Sequence, residues 1–164
     1  MLALGIAPTG ADFEFGGVWF AAHVVLAFIG YAGMALAFAS SLLYLLQFRE
    51  LKHKHFGKLF RFMPSLEMLD KVAHRALLIG FATLTLALVL GWAWTVQFRD
   101  SFEMSDPKVM WAMFTWIAFA VALASRTGAG AERRGARMNI AAFTVIILAY
   151  VVIRIAAARG GVFL

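Results

Sequence analysis

Long apolar runs alternate along the chain with short polar or basic stretches. Four runs are poor in charged residues, and they cover residues 19–48, 72–98, 109–125 and 139–158. A helix needs about 20 mostly apolar residues to cross the hydrocarbon core of a bilayer. None of the runs alternates polar and apolar residues at every second position, as the strand of a membrane barrel does. The pattern therefore predicts an all-α polytopic membrane protein whose four transmembrane helices form a bundle.

Composition supports one membrane domain. Hydrophobic residues make up 63% of the 164 residues, against about 45–50% in soluble domains. We expect an N-terminal tail at 1–17 and a single four-helix domain at 18–164. Because no basic residue precedes the first apolar patch, the first spanning helix is expected to insert the protein itself. The chain has no cysteine, which excludes disulfides, thiolate metal sites and covalent attachment of heme.

Charge is distributed unevenly, and the distribution predicts an orientation. Most of the excess positive charge lies in a loop at 49–71 and in a turn at 126–138. Basic loops face the cytoplasm, so both termini and the loop at 99–108 are predicted to lie outside a bacterial inner membrane. Anionic lipids are the expected partners of the basic segments, and no nucleic acid is expected. Four tryptophans fall near the predicted outer boundary, as in an aromatic belt: Trp19, Trp92, Trp94 and Trp111.

Small residues recur every four positions on the first two helices, where they would let backbones approach closely. The repeat predicts packing seams on these helices, and the alternative is ordinary bundle packing without partner specificity. The residues assigned to packing are Gly33, Ala37, Ser41, Gly80 and Gly91.

The segment around the second and third helices resembles a known family. Gly91-Trp92-Ala93-Trp94, followed by Ser105-Asp106-Pro107-Lys108, is similar to the helix exit, external loop and re-entry of the cytochrome c assembly family, the CcsA, CcmC and HemX group of heme-handling membrane proteins. The resemblance implies an external heme site built from loop tryptophans and histidine ligands. His23 falls on the family's first external ligand position. The implied cofactor-binding residues are therefore His23, Trp92, Trp94 and Asp106.

The chain also departs from the family pattern at the residues that would bind heme. Arg99, Glu103 and Ser105 occupy positions where the family has tryptophans, Ala124 replaces a family histidine, and no histidine follows His74. We therefore expect no bound cofactor and no metal site, with heme as the alternative cofactor.

Several of these residues also have a structural interpretation. His23 can instead hydrogen-bond to water, to Asp12 or to a neighbouring helix, and Asp106 can cap the third helix ahead of Pro107. Arg154, near the outer end of the fourth helix, either reaches toward the interface or pairs with Asp106 or Glu103.

Two functions remain in competition. One is a non-catalytic accessory subunit or assembly factor in a respiratory or photosynthetic electron-transfer complex, with other integral membrane subunits as partners. The alternative is an active heme-handling or heme-delivery protein of cytochrome c maturation. A small transporter is disfavoured because the sequence contains no inverted repeat, and no set of residues predicts an enzyme.

Overall fold

The computed structural model describes residues 10–53, 64–98, 107–128 and 130–160, with side chains at 17–52, 64–97, 109–128 and 130–155. These residues form four α-helices, which are α1 (Gly10–His53), α2 (Leu66–Phe98), α3 (Pro107–Ala124) and α4 (Ala131–Gly160). The prediction of an all-α chain with four helices is confirmed. Three helices, α1, α2 and α4, are long and apolar enough to cross a membrane, and α3 is a shorter apolar helix.

The helices extend beyond the apolar runs at several ends. α1 begins at Gly10, inside the segment predicted as a tail, and ends at His53, inside the predicted basic loop. α4 begins at Ala131, within the predicted basic turn. Hydropathy marks only the part of a helix that suits the bilayer interior, whereas Arg, Lys and Glu are good helix formers that continue the same helix into water. Residues 99–106 of the predicted loop at 99–108 and residues 1–9 of the predicted tail at 1–17 lie outside the described residues.

A serine cap starts α2. The backbone N–H of Met68 donates to Ser65 Oγ over 3.3 Å, and the N–H of Leu69 donates to the Ser65 carbonyl over 3.0 Å. Ser65 thereby satisfies amides that a helix N-terminus leaves without partners.

The turn between α3 and α4 depends on glycine. Gly128 and Gly130 have φ angles of 78° and 71°. L-amino acids with side chains rarely adopt this left-handed region, whereas glycine does so without steric cost. The short turn returns the chain alongside α3 and brings the arginines of α4 to the same end of the bundle as the start of α2.

All four helices contribute to one core. Its fully buried centre is Phe119 of α3, which packs with Met34 of α1, Leu77 and Leu84 of α2, and Ile146 of α4. The two ends of the bundle differ in character. We call the end that carries Trp19, Trp92 and Trp94 the tryptophan end, and the end that carries residues 126–137 the basic end.

Candidate functional site

His23, at the tryptophan end, holds α1 against α2. Its Nδ1 lies 2.7 Å from the Ala87 carbonyl oxygen. Since a carbonyl can only accept, Nδ1 carries the hydrogen, and Nε2 of the neutral ring is left as an acceptor. The ring also covers Gly91, where a Cβ atom would lie 2.8 Å from His23 Cε1. Glycine at position 91 is therefore what allows the imidazole to lie flat against α2.

Trp19 makes a second bond of the same kind one turn earlier on α1. Its indole Nε1 donates to the Leu90 carbonyl oxygen over 3.1 Å. Two polar side chains of α1 thus bind backbone carbonyls of α2, using the second lone pair that a helical carbonyl retains. Neither bond joins residues that are close in sequence.

An aromatic ring lies beside His23. Phe20 stacks beside the imidazole with 6.5 Å between ring centroids, and its ring also lies 5.9 Å from that of Trp94. His23, Phe20 and Trp94 therefore form one cluster. Trp92 is 57% exposed and projects from a different side of α2, because residues two apart on a helix do not share a face. Asp106, the fourth residue implied by the resemblance, lies outside the described residues.

No second histidine of the described part of the chain lies near His23. His74 lies on α2 about 20 Å from Ala87 at the usual rise of about 1.5 Å per residue, toward the basic end. Its Nδ1 is buried, without a hydrogen-bond partner among the described residues. Within the described ranges, no three His, Cys, Asp or Glu side chains come together as a group able to hold a metal ion.

The residues assigned to packing contact two different helices. Gly33 faces Ala76 and Gly80 of α2, and Gly80 also approaches Gly30 of α1 and Phe119 of α3. Ala37 is completely buried.

Ser41 packs elsewhere. Its Oγ accepts a hydrogen bond from Asn139 Nδ2 of α4 over 3.0 Å. The residues of this four-residue repeat on α1 therefore contact both α2 and α4.

An ion pair at the basic end was not anticipated from the sequence. Arg126 Nη2 donates to Asp70 Oδ1, and the two side chains are 6% and 21% exposed. Arg126 lies over Gly135 of α4, where a Cβ atom would come 2.7 Å from Arg126 Cγ. From the sequence, Arg126 was expected only as part of a basic turn that binds anionic lipid. No local signal pairs two residues so far apart in the chain.

Arg154 is exposed on α4. The two acids considered as its partners, Asp106 and Glu103, lie outside the described residues. From an exposed position near the end of an apolar helix, an arginine side chain can extend its charged group toward the membrane interface.

The fold and the site together define a multi-pass helical membrane protein with a histidine and aromatic cluster at one end of its first helix pair. The family model for the cytochrome c assembly protein matches residues 14–158. The chain belongs to the cytochrome c assembly protein family.

Curated relatives include three proteins called cytochrome c biogenesis protein CcsA. The protein from Chlamydomonas reinhardtii is 32% identical over 114 residues, which cover 70% of this chain and 31% of the relative. The protein from Guillardia theta is 28% identical over 148 residues, covering 80% and 49%, respectively. The protein from Prochlorococcus marinus strain MIT 9312 is 38% identical over 85 residues, covering 51% and 28%. The chain thus spans less than half the length of these relatives. No solved structure matches it.

Proposed function

We propose that this chain acts in cytochrome c biogenesis as a non-catalytic accessory subunit or assembly factor of a bacterial inner membrane, within a respiratory or photosynthetic electron-transfer complex. The shared family and the printed names of its relatives support the process. The observation that carries the non-catalytic role is that no second histidine of the described residues lies near His23, since His74 lies on α2 about 20 Å from Ala87 toward the basic end.

A stable heme site of the family type needs axial ligands and flat surfaces for the ring. His23 occupies one external ligand position, and the sequence contains no histidine after His74 to supply the second external ligand; Ala124, which replaces a further family histidine, lies at the basic end. One imidazole leaves the opposite side of the iron without a protein ligand. His23 and Trp19 both bond to α2 directly and so hold the helix pair together.

The lateral surface of the helices suits a membrane partner. Many large apolar side chains of α1 are exposed, among them Val18 at 71% and Phe28 at 73%. In a bilayer such a surface contacts lipid or another transmembrane helix, and small neighbouring residues favour helix association. This supports integral membrane subunits as the partners of the chain.

The geometry also favours a second candidate, an active heme-handling or heme-delivery protein. Histidine ligands usually donate their second ring nitrogen to a carbonyl or carboxylate, which orients the ring. The bond from His23 Nδ1 to Ala87 has this form and leaves Nε2 available. Phe20 supplies an aromatic surface beside it, and Trp94 packs against Phe20.

Purification from the native membrane distinguishes the two candidates. The wild type, His23→Ala and the control His74→Ala are isolated, their co-purifying chains are identified, and their visible spectra are recorded after expression with excess heme. We expect the same membrane partners in all three preparations and no stoichiometric Soret band. A one-to-one heme signal that is lost in His23→Ala and kept in His74→Ala would overturn the non-catalytic role and establish the heme handler.

A further inference from the structure

A pocket rich in arginine opens at the basic end, between α1 and the start of α4. Its volume is about 470 Å³, and its lining residues are Tyr44, Phe48, Gly130, Glu132, Arg133, Arg134 and Arg137. Three guanidinium groups face one carboxylate, which leaves an excess of two positive charges. We call this set of residues the arginine pocket.

The fold holds two of the arginines in place. The Arg133 guanidinium lies over the Phe48 ring, 5.2 Å from its centroid, in the geometry of a cation–π contact. Arg134 Nη1 donates to the Thr127 carbonyl oxygen of the α3–α4 turn over 3.2 Å. Arg137 follows Arg133 by one helical turn and therefore projects on the same side of α4. Restrained side chains lose less conformational freedom when they bind a ligand.

The inner wall of the pocket is aromatic. Tyr44 is buried and packs with Leu69 of α2 and Ala136 of α4, and its ring stacks on that of Phe48 with 6.3 Å between centroids. The pocket thus has charged groups at its mouth and apolar rings on the side toward the bundle. This arrangement suits an amphiphile at a membrane surface better than a fully hydrated ion.

We propose that the arginine pocket binds the phosphate of an anionic phospholipid in the leaflet at the basic end. Planar guanidinium groups donate paired hydrogen bonds that match phosphate oxygens. Two excess positive charges are sufficient to neutralise a phosphodiester, and the amides of the first turn of α4 add a favourable dipole. The proposal is independent of the function proposed above, because it uses no residue of the tryptophan end.

Phosphatidylglycerol is the probe for this site. Detergent-solubilised protein is titrated with the lipid, and bound lipid is counted by native mass spectrometry. The test variant is R133Q/R137Q. The control is R49Q/R75Q, which removes the same charge from two exposed arginines outside the pocket. Losing a direct hydrogen bond to a charged phosphate costs about 1.5–3 kcal/mol, so we expect the pocket variant to bind at least roughly tenfold more weakly, whereas the control removes two charges that do not line the pocket.

The outcomes separate the proposal from its alternatives. It is supported if the pocket variant loses affinity while the control stays within about twofold of the wild type. Equal losses in both variants would show that only general surface charge attracts the lipid, and would overturn it. Inorganic phosphate is titrated in parallel. If phosphate alone displaced the lipid at comparable concentration, the site would belong to a soluble phosphate compound and the lipid assignment would fail.

Discussion

Gly33 of α1 and Gly80 of α2 lie so close together that neither position has room for a side chain. A Cβ atom on Gly33 would come 2.8 Å from the Ala76 carbonyl oxygen and 2.9 Å from Gly80 Cα, and one on Gly80 would come 3.0 Å from the Gly30 carbonyl oxygen. Within a bilayer, helices associate through close packing because lipid and leucine are equally apolar. This backbone contact is therefore the central stabilising feature of the α1–α2 pair.

Gly33→Ala should destabilise the protein, since its methyl group must separate two backbones. Forcing extra atoms into a packed contact costs about 1–3 kcal/mol. Thermal unfolding in detergent micelles measures the effect. Gly17→Ala is the matched control, because a Cβ atom there meets nothing within 4 Å. Equal unfolding temperatures for the two variants would contradict the contact.

Gly91→Ala should act through His23. In the wild type the new methyl group would push the imidazole away from α2, at a cost of about 1–3 kcal/mol. In a His23→Ala background the obstacle is gone, and alanine should stabilise the helix by up to about 1 kcal/mol over glycine. Unfolding of the four proteins of this double-mutant cycle provides the measurement. An effect of Gly91→Ala that is the same in both backgrounds would refute the packing of His23 on Gly91.

Asp70→Asn should be strongly destabilising, because it leaves the Arg126 guanidinium buried without its counter-charge. Removing one partner of a buried ion pair costs about 3–5 kcal/mol, and partial exposure of Asp70 brings the expected loss toward the lower figure.

Glu67→Gln provides the control for this ion pair. Glu67 pairs with Lys71 over 2.6 Å, but the side chains are 77% and 63% exposed, and water and salt screen such exposed pairs, so that they contribute little to stability. Denaturant titration of both variants compares them. If Asp70→Asn were as mild as Glu67→Gln, the ion pair would have no role in holding the α3–α4 turn against α2.

Ser41 and Asn139 should show coupling in stability measurements. Their hydrogen bond joins α1 to α4 among buried side chains, and interhelical hydrogen bonds in membranes average about 0.6 kcal/mol. A cycle of Ser41→Ala and Asn139→Ala should give a coupling energy of this size. Thr83→Ala serves as a reference, because Thr83 bonds to carbonyls of its own helix. Strict additivity of the Ser41 and Asn139 changes would mean that the bond contributes nothing.

Labelling of introduced cysteines can test the predicted orientation, because the chain has no cysteine of its own. Thr127 lies in the turn at the basic end, and Gln97 lies near the end of α2 at the tryptophan end. Each residue is changed to cysteine in a separate variant, Thr127→Cys and Gln97→Cys. A membrane-impermeant thiol reagent added to intact cells should label Gln97→Cys, and Thr127→Cys should react only after permeabilisation. The reverse pattern would invert the assigned topology.

Much of the architecture could be predicted from residues taken one segment at a time. Four apolar runs predicted four helices, and Ser65 is a local cap at the start of α2. The Trp92, Trp94 and Asp106 segment carried the family resemblance that the family match confirms. These are local properties, because transfer into a bilayer and capping of a helix depend on a residue and its near neighbours.

The tertiary structure alone decided which residues meet. Hydropathy does not specify the rotation of a helix about its axis or its axial register against a neighbour. For that reason the four-residue repeat on α1 could not reveal that Gly33 faces α2 whereas Ser41 bonds to Asn139 of α4. The bonds from His23 to Ala87 and from Arg126 to Asp70 likewise join distant parts of the chain. Such contacts form only after four helices, each determined by its own sequence, have packed together.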